Sequence, residues 1–175
     1  MFLHQVDPDP IPDPDDNSTT VSTAVATPPE TVASESVDSK PSSASIPWPG
    51  STFIIRSISS GRVITLLDGQ IVLSPPGGRG SIHWVCVETK GWLGFQNLAS
   101  GRFLGHDKKG RLSCSGERHQ GWENFCARGR PEGGYVLLMT HWERLWQVGM
   151  CIEQGVEKLE KTGGSDGVVW EFIKV

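Results

Sequence analysis

Cysteine and histidine side chains lie at three positions that could, by residue type, hold a metal ion. Cys114, His119 and Cys126 are separated by four and six residues, which is not the spacing of paired zinc ligands. His83 and Cys86 lie three apart on one predicted strand, so their side chains point to opposite faces of the sheet. The simpler interpretation is strand thiols with a loop histidine. The sequence therefore predicts no metal site and no cofactor.

The polar residues also lack the arrangement that catalysis needs. A nucleophilic Ser or Cys requires an activating base and an orienting group, and neither a Gly-x-Ser-x-Gly elbow nor a cysteine-protease context occurs. Asp68 and Asp107 lie at predicted hairpin tips, where aspartate is favoured by the turn itself. The glycine-rich stretch from Pro75 to Ser81 lacks the Gly-Lys pair of a phosphate-binding loop. We therefore expect no catalytic residue and no enzyme activity.

Two groups of side chains are candidates for contact with a partner. The densest positive charge lies around one predicted hairpin, at Lys108, Lys109, Arg111 and Arg118. A solvated hairpin tip explains this cluster, and so does contact with an acidic protein surface. Trp142 lies near the turn of another predicted hairpin, where an indole could stack on a sugar or anchor a protein contact.

Three internal repeats position these candidates. Alignment on the arginine after the first turn of each repeat places Arg62, Arg102 and Arg144 about 40 residues apart, a spacing typical of repeat architectures. Apolar positions then coincide at Phe53/Leu93/Tyr135, Ile55/Phe95/Leu137, Val63/Phe103/Leu145 and Ile64/Leu104/Trp146. Each repeat also ends on a predicted strand with a tryptophan, at Trp84, Trp122 and Trp170, and we expect these three indoles in the core.

Each repeat contains four short apolar runs separated by turn residues. Strands are predicted at 53–58, 62–67, 70–74, 82–87, 92–97, 102–106, 111–115, 122–127, 135–140, 144–149, 156–160 and 168–174. Asp-Gly between such runs favours a tight hairpin turn. A propeller would need about four to eight such units. Three units predict a single all-β domain over residues 51–175: a β-trefoil, with six strands in a barrel and six in capping hairpins.

Residues 1–50 differ in composition from the rest, being rich in Asp, Pro, Ser and Thr. Eight of the 20 acidic and one of the 16 basic side chains lie there, which gives this segment a net charge of −7 and leaves +3 on the remainder. The segment has too few large apolar side chains to form a core, so the sequence predicts a disordered acidic tail. The mild basic surplus of the domain is far below the clustering that marks nucleic-acid binding.

Targeting signals are missing from the sequence. No apolar run approaches the ~20 residues of a transmembrane helix, and the N-terminus has neither the basic nor the apolar region of a secretory signal. We therefore expect a cytoplasmic protein without membrane contact. In that reducing compartment Cys86, Cys114, Cys126 and Cys151 would be free thiols.

The stretch from Ser100 to Cys114 resembles the repeat of the fascin-type actin-crosslinking trefoils. That pattern runs glycine, basic residue, aromatic, leucine, polar hairpin tip, glycine and apolar strand, and it is matched by Gly101, Arg102, Phe103, Leu104, Gly110 and Leu112. Residues 61–73 follow it loosely, and the third repeat has Glu143 in place of the glycine. The resemblance implies a non-catalytic binding module for a protein such as actin, with Lys108, Lys109 and Arg111 as contacts.

A second resemblance is to the ricin-B lectins, whose mark is Gln-x-Trp in the last strand of each repeat. Gln120-Gly121-Trp122 matches it, whereas the other two tryptophans follow Ile82-His83 and Val168-Val169. This resemblance implies a carbohydrate-binding module with a glycan as partner. The fascin-like function is the main hypothesis from the sequence, and the lectin-like function is the alternative.

Overall fold

The computed structural model describes residues 44–164 and 167–175. These residues form short strands joined by tight turns. The strands are β1 (Ala44–Ser45), β2 (Thr52–Ser57), β3 (Val63–Leu67), β4 (Gln70–Ser74), β5 (Trp84–Thr89), β6 (Trp92–Asn97), β7 (Phe103–His106), β8 (Leu112–Gly116), β9 (Phe125–Gly129), β10 (Tyr135–His141), β11 (Arg144–Glu153), β12 (Val156–Thr162) and β13 (Val169–Lys174). One 3-10 turn, η1 (Gly121–Glu123), precedes β9. Within these residues no helix is long and apolar enough to cross a membrane.

Six of the strands form a closed barrel. Each pairs with the next in the ring β2, β5, β6, β9, β10 and β13, and β13 pairs back with β2. Closure removes the free edges at which sheets aggregate. Six further strands form the hairpins β3–β4, β7–β8 and β11–β12, and the three hairpins contact one another. The remaining strand, β1, pairs with β13. This is the β-trefoil arrangement that the repeats predict.

The threefold relation is visible in the strand pairing. Phe53 pairs with Trp84, Leu93 with Phe125, and Tyr135 with Trp170. Trp84, Phe125 and Trp170 are all fully buried. The indole N–H of Trp84 donates to the carbonyl of Ile64 at 3.0 Å, and that of Trp170 to Val148 at 3.4 Å. The core is therefore built on one aromatic residue at the start of the last strand of each repeat.

The prediction that Trp122 belongs to this core set is wrong. Trp122 lies on η1, three residues before Phe125, and its side chain is 45% exposed. The turn forms because the Glu123 carboxylate accepts the backbone N–H of Gln120 at 3.1 Å, a reciprocal cap at the start of the turn. The Gln-x-Trp match therefore falls on a turn and not on the last strand. The alignment matched the residue type and missed the position.

The alignment of the third repeat is correct at Tyr135 and Leu137 but wrong by two residues at Leu145 and Trp146. The first strand of each repeat pairs with the second at equivalent positions: Arg56 with Val63, Gln96 with Phe103 and Leu138 with Gln147. Val148, and not Trp146, thus corresponds to the buried Ile64 and Leu104. The shift arises because β10 and β11 continue to a two-residue turn between His141 and Arg144. Anchoring on Arg144 overlooked this extension, which places Trp142 and Trp146 outside the core.

Pairing begins before the predicted domain boundary at residue 51. Ala44 and Ser45 of β1 pair with Ile173 and Phe172 of β13. Trp48, which follows β1, is 71% exposed and does not pack into the core. The predicted disordered tail spans residues 1–50. Residues 44–50 are described and include β1, whereas residues 1–43 lie outside the described residues, and there the tail stays a prediction.

Candidate functional site

A cleft of about 330 Å³ opens where the second and third repeats meet. One wall is the tip of hairpin β7–β8, a second is η1 with Asn124, and a third is the end of β10 with its turn. The lining residues are His106, Asp107, Lys108, Gly121, Trp122, Asn124, Thr140, His141 and Trp142. The hydroxyl of Thr140 donates to the carbonyl of Gly121 at 2.5 Å, which fastens η1 to β10. This cleft is the candidate functional site.

Trp142 is the most exposed large side chain of the cleft. Its indole is 79% exposed, and its backbone has a φ of +55°, in the left-handed region that costs a non-glycine residue about 1–3 kcal/mol. The strain follows from the two-residue turn that reverses the chain after His141. A tryptophan that is strained and exposed adds little to the core. Such a combination is typical of a binding position.

Aromatic rings form the floor between the two repeats. The imidazole of His106 stacks on the indole of Trp122, with ring centroids 5.5 Å apart and planes at 17°. His141 meets His106 edge-on at 5.1 Å and Trp142 edge-on at 5.7 Å. Both histidines are only 5% exposed. Four rings from β7, η1, β10 and the following turn are therefore packed into one continuous surface.

A hydrogen bond fixes the tautomer of His106. Nδ1 of His106 lies 2.9 Å from the carbonyl of Asp107, so Nδ1 carries the proton and Nε2 is the accepting nitrogen. That Nε2 is buried and has no hydrogen-bond partner among the described residues. An unpaired buried acceptor costs about 1–3 kcal/mol.

Asp107 is the acidic residue of the cleft. Its Oδ1 accepts the backbone N–H groups of Lys109 at 2.8 Å and Arg111 at 3.0 Å. Burial opposes the charge, but the backbone hydrogen bonds from Arg111, Lys109 and Gly110 and the Arg111 guanidinium together hold the pKa of the carboxyl below its usual value. The group is therefore a fixed, ionised hydrogen-bond acceptor at neutral pH.

The structure brings only part of the predicted binding set together. Lys108 and Trp142 line the cleft, whereas Lys109 lies exposed at the tip of the β7–β8 turn. The Arg111 guanidinium contacts Glu153 at 2.7 Å and Glu160 at 3.8 Å, so it ties hairpin β7–β8 to β11–β12. Arg118 lies in a separate depression with Glu117 and Glu123. The predicted basic cluster is thus distributed over four environments.

Several cleft residues have no clear signal in the sequence. His106, Asp107, Asn124, Thr140 and His141 come from three separate segments, and only the strand pairing brings them together. Trp122 carries a signal, but its alignment with Trp84 assigns it to the core. The one useful hint is that a histidine ends both β7 and β10.

The two related positions of the trefoil lack this set of side chains. The backbone N–H groups of Ile58, Leu98 and Thr140 make equivalent hydrogen bonds to the carbonyls of Val169, His83 and Asn124. Where the cleft has His141, the first two repeats have Ser59 and Ala99. Where it has His106, the related residues by strand register are Leu66 and Met150. Within residues 44–164 and 167–175, the two histidines therefore occur together at one of the three related positions.

Comparison with solved structures shows the β-trefoil fold. The chain is similar to the Macrolepiota procera ricin B-like lectin in complex with lactose, with a TM-score of 0.55, 16% identity, and coverage of 73% of this chain and 98% of that one. It is similar to the designed three-fold symmetric protein ThreeFoil, with a TM-score of 0.55, 12% identity, and coverage of 71% and 99%.

A larger protein contains a similar domain. The match to the GlcNAcα1-4Gal releasing endo-β-galactosidase from Clostridium perfringens has a TM-score of 0.60 and 13% identity, and covers 71% of this chain. The chain spans about a third of the length of that enzyme, 32%.

Sequence comparison adds no family. No family model matches the chain, and no curated protein matches its sequence. The fascin-type resemblance gains no support from these comparisons. What they establish is that the chain is a β-trefoil.

Proposed function

We propose that this protein is a non-catalytic carbohydrate-binding module and that the aromatic cleft holds its saccharide. The observation that carries the proposal is Trp142, exposed and strained beside the Trp122–His106 stack. The apolar face of a sugar ring packs against an indole, while its hydroxyls need polar partners, and an aromatic with wet surroundings supplies both. A volume of about 330 Å³ lies at the small end of ligand sites, which suits one or two sugar units.

Each polar residue of the cleft has a role in this proposal. The ionised Asp107 accepts hydrogen bonds from sugar hydroxyls. Its position is fixed, because backbone amides hold its Oδ1. The imidazole of His106 stacks on Trp122 and forms the floor beneath the sugar. The Asn124 amide, on the η1 wall, can both donate and accept. Sites of this kind discriminate strongly against ligands that lack the matching hydroxyl.

The number of carboxylates that line the cleft favours binding over hydrolysis. Glycosidases generally flank the scissile bond with a pair of Asp or Glu residues. Asp107 is the one carboxylate that lines the cleft within residues 44–164 and 167–175. The lactose complex of the similar lectin supports a saccharide ligand for this fold, although at 16% identity it carries no residue across.

Binding to a protein such as actin is the less favoured function. The sequence assigns this role to Lys108, Lys109 and Arg111, but the Arg111 charge is already matched by Glu153 and Glu160. Two exposed lysines remain as a contact. They give weaker support than the cleft does.

A glycan array with matched tryptophan variants tests the proposal. The wild-type full chain should bind a defined set of glycans, and Trp142→Ala and Asp107→Asn should lose those signals. Trp48→Ala is the control, because Trp48 is similarly exposed at 71% but lies outside the cleft. Actin co-sedimentation of the wild type and of Lys108→Glu/Lys109→Glu runs beside it. Absence of any glycan signal, or equal losses for Trp48→Ala and Trp142→Ala, would contradict the proposal.

A further inference from the structure

A groove continues from the cleft around the β10–β11 turn. His141 and Trp142 line both the cleft and a depression of about 410 Å³ that also includes Arg144, Trp146 and Lys161. Arg144 and Trp146 in turn line a third depression of about 460 Å³, whose wall includes Arg128, Thr162 and Gly163. We call the second and third depressions together the basic groove. Because adjoining depressions share residues, a ligand longer than one sugar can extend from the cleft into this groove.

The basic groove holds three cations that are not neutralised within the described chain. Arg128, Arg144 and Lys161 form no ion pair with any described carboxylate, whereas five other arginines do: Arg56, Arg62, Arg102, Arg111 and Arg130. The acidic side chain that lines the described groove is Glu143, at the exposed turn. The groove therefore carries a positive surplus at the point where it leaves the cleft.

Lys161 is held in place at the boundary between the cleft and the basic groove. Its stem lies over Gly110, where an added Cβ would come within 2.5 Å of the Lys161 Cδ, and its backbone N–H donates to the Gly110 carbonyl at 2.8 Å. Its ammonium lies 3.1 Å from Nδ1 of His141 and 5.0 Å from the centroid of Trp146. An ammonium has three donors, so donors remain for an anion.

We propose that the saccharide is anionic, with its sugar ring in the cleft and a carboxylate or sulfate group in the basic groove. This inference rests on the proposed carbohydrate-binding function. Lys161 meets the anion where the groove begins, and Arg144 and Arg128 bind it further along, since a guanidinium donates two parallel hydrogen bonds to an oxyanion. The half-buried Trp146 offers a second apolar surface beside the anion.

Calorimetry with pairs of similar saccharides that differ in charge tests this inference on the full chain. The pairs are trigalacturonic acid with galactotriose, and 3′-sulfolactose with lactose, so that the two arms separate uronate from sulfate recognition. At least one anionic member should bind about 10-fold tighter than its neutral partner, because a hydrogen bond to a charged group is stronger than one between neutral groups. Arg144→Gln and Lys161→Met should each reduce that ratio severalfold, and Trp142→Ala should weaken both members.

The controls separate this inference from the function on which it rests. Arg118→Gln removes an exposed cation from another depression and should leave the ratio unchanged; an equal loss there would mean diffuse electrostatic attraction and would overturn the inference. Equal binding of charged and neutral members, abolished by Trp142→Ala, would refute the anion site and leave carbohydrate binding intact. Binding of neither pair, together with an empty glycan array, would remove both. Tighter binding of a single-stranded oligonucleotide than of any saccharide would also overturn it.

Discussion

The ammonium of Lys161 lies 3.1 Å from Nδ1 of His141. Because a protonated lysine only donates, Nδ1 must be the accepting nitrogen and Nε2 must carry the imidazole proton. That Nε2–H donates to the Lys108 carbonyl at 3.1 Å. Two hydrogen bonds therefore join β12, β10 and the tip of hairpin β7–β8, the segments that lie where the cleft meets the basic groove. The wall of the cleft is fixed before any ligand arrives, which favours binding.

Replacement of Trp142 by asparagine should separate binding from stability. Asparagine tolerates the left-handed backbone that Trp142 adopts at a φ of +55°, and the lost indole is 79% exposed. We expect the free energy of unfolding to stay the same or to rise by about 1 kcal/mol, while affinity for the glycan identified on the array is lost. Urea unfolding and calorimetry measure the two quantities.

Trp48→Asn is the control for this variant, because it removes an exposed indole outside the cleft. It should keep the affinity of the wild type. If Trp142→Asn unfolded at a markedly lower urea concentration, the indole would contribute to packing, and the argument that its exposure serves binding would fail.

Alanine variants of Phe125 and Trp122 test the corrected threefold register. Phe125 is fully buried at the position of Trp84 and Trp170, so Phe125→Ala should lower the free energy of unfolding by about 3–5 kcal/mol. Trp122→Ala removes a half-exposed indole and its stack on His106, and should cost about 1 kcal/mol. Chemical denaturation of both variants measures the difference, and the reverse order would restore Trp122 to the core.

The fold was accessible from the sequence because period-2 apolar runs and turn residues recur in every repeat. All twelve predicted trefoil strands exist, and most of their ends agree within two residues. The exceptions are β9, which begins at Phe125, and β11, which extends to Glu153. Both lie where a local hydrogen bond or an extended hairpin changes the register without changing the residue types.

The site was less accessible because it depends on contacts between repeats. The sequence placed Trp142 at a turn and grouped Lys108 with Arg111 on one hairpin. It could not show that Arg111 meets Glu153 across two hairpins, nor that the imidazole of His106 lies on Trp122. Spacing along the chain reports neighbours within a strand or turn, whereas this cleft joins three segments far apart in sequence.

Acidification should destabilise the fold through His119. Its imidazole stacks on Phe103 at 5.8 Å and both ring nitrogens are buried without a partner in the described chain. Burial lowers the pKa of this imidazole, an effect that Glu123, Asn124 and the Leu93 backbone offset only in part. The unfolded chain then binds more protons than the folded one as the pH falls below about 6.5, so stability is full above that pH and declines below it.

Melting temperatures between pH 8 and pH 5 measure this contribution. His119→Gln removes the titrating group, so its melting temperature should decline less steeply between pH 7 and pH 5 than that of the wild type. Identical slopes for the two proteins would show that His119 is not responsible.

Charge reversal should distinguish the structural cation of hairpin β7–β8 from its exposed ones. The Arg111 guanidinium lies 2.7 Å from Glu153 and 3.8 Å from Glu160, and these contacts raise the pKa of Arg111. The hydrogen bond from the Lys158 ammonium, and then that from Arg111, lower the pKa of Glu153. Arg111→Glu places three carboxylates together, so its melting temperature should fall, and more so at low salt, where repulsion is screened least. Lys109→Glu should melt like the wild type, since Lys109 is exposed and forms no ion pair within the described chain.

Arg111→Glu and a double lysine variant together decide how the basic hairpin should be interpreted. A variant with Lys108 and Lys109 reversed but Arg111 retained reports on partner contact without disturbing the hairpin. If that double variant keeps glycan binding and the wild type fails to co-sediment with actin, the positive charge of this hairpin serves mainly to hold β7–β8 against β11–β12. If it instead abolishes co-sedimentation with actin while Arg111→Glu melts like the wild type, the fascin-like function is correct, and the ion pairs of Arg111 are not what stabilises the hairpins.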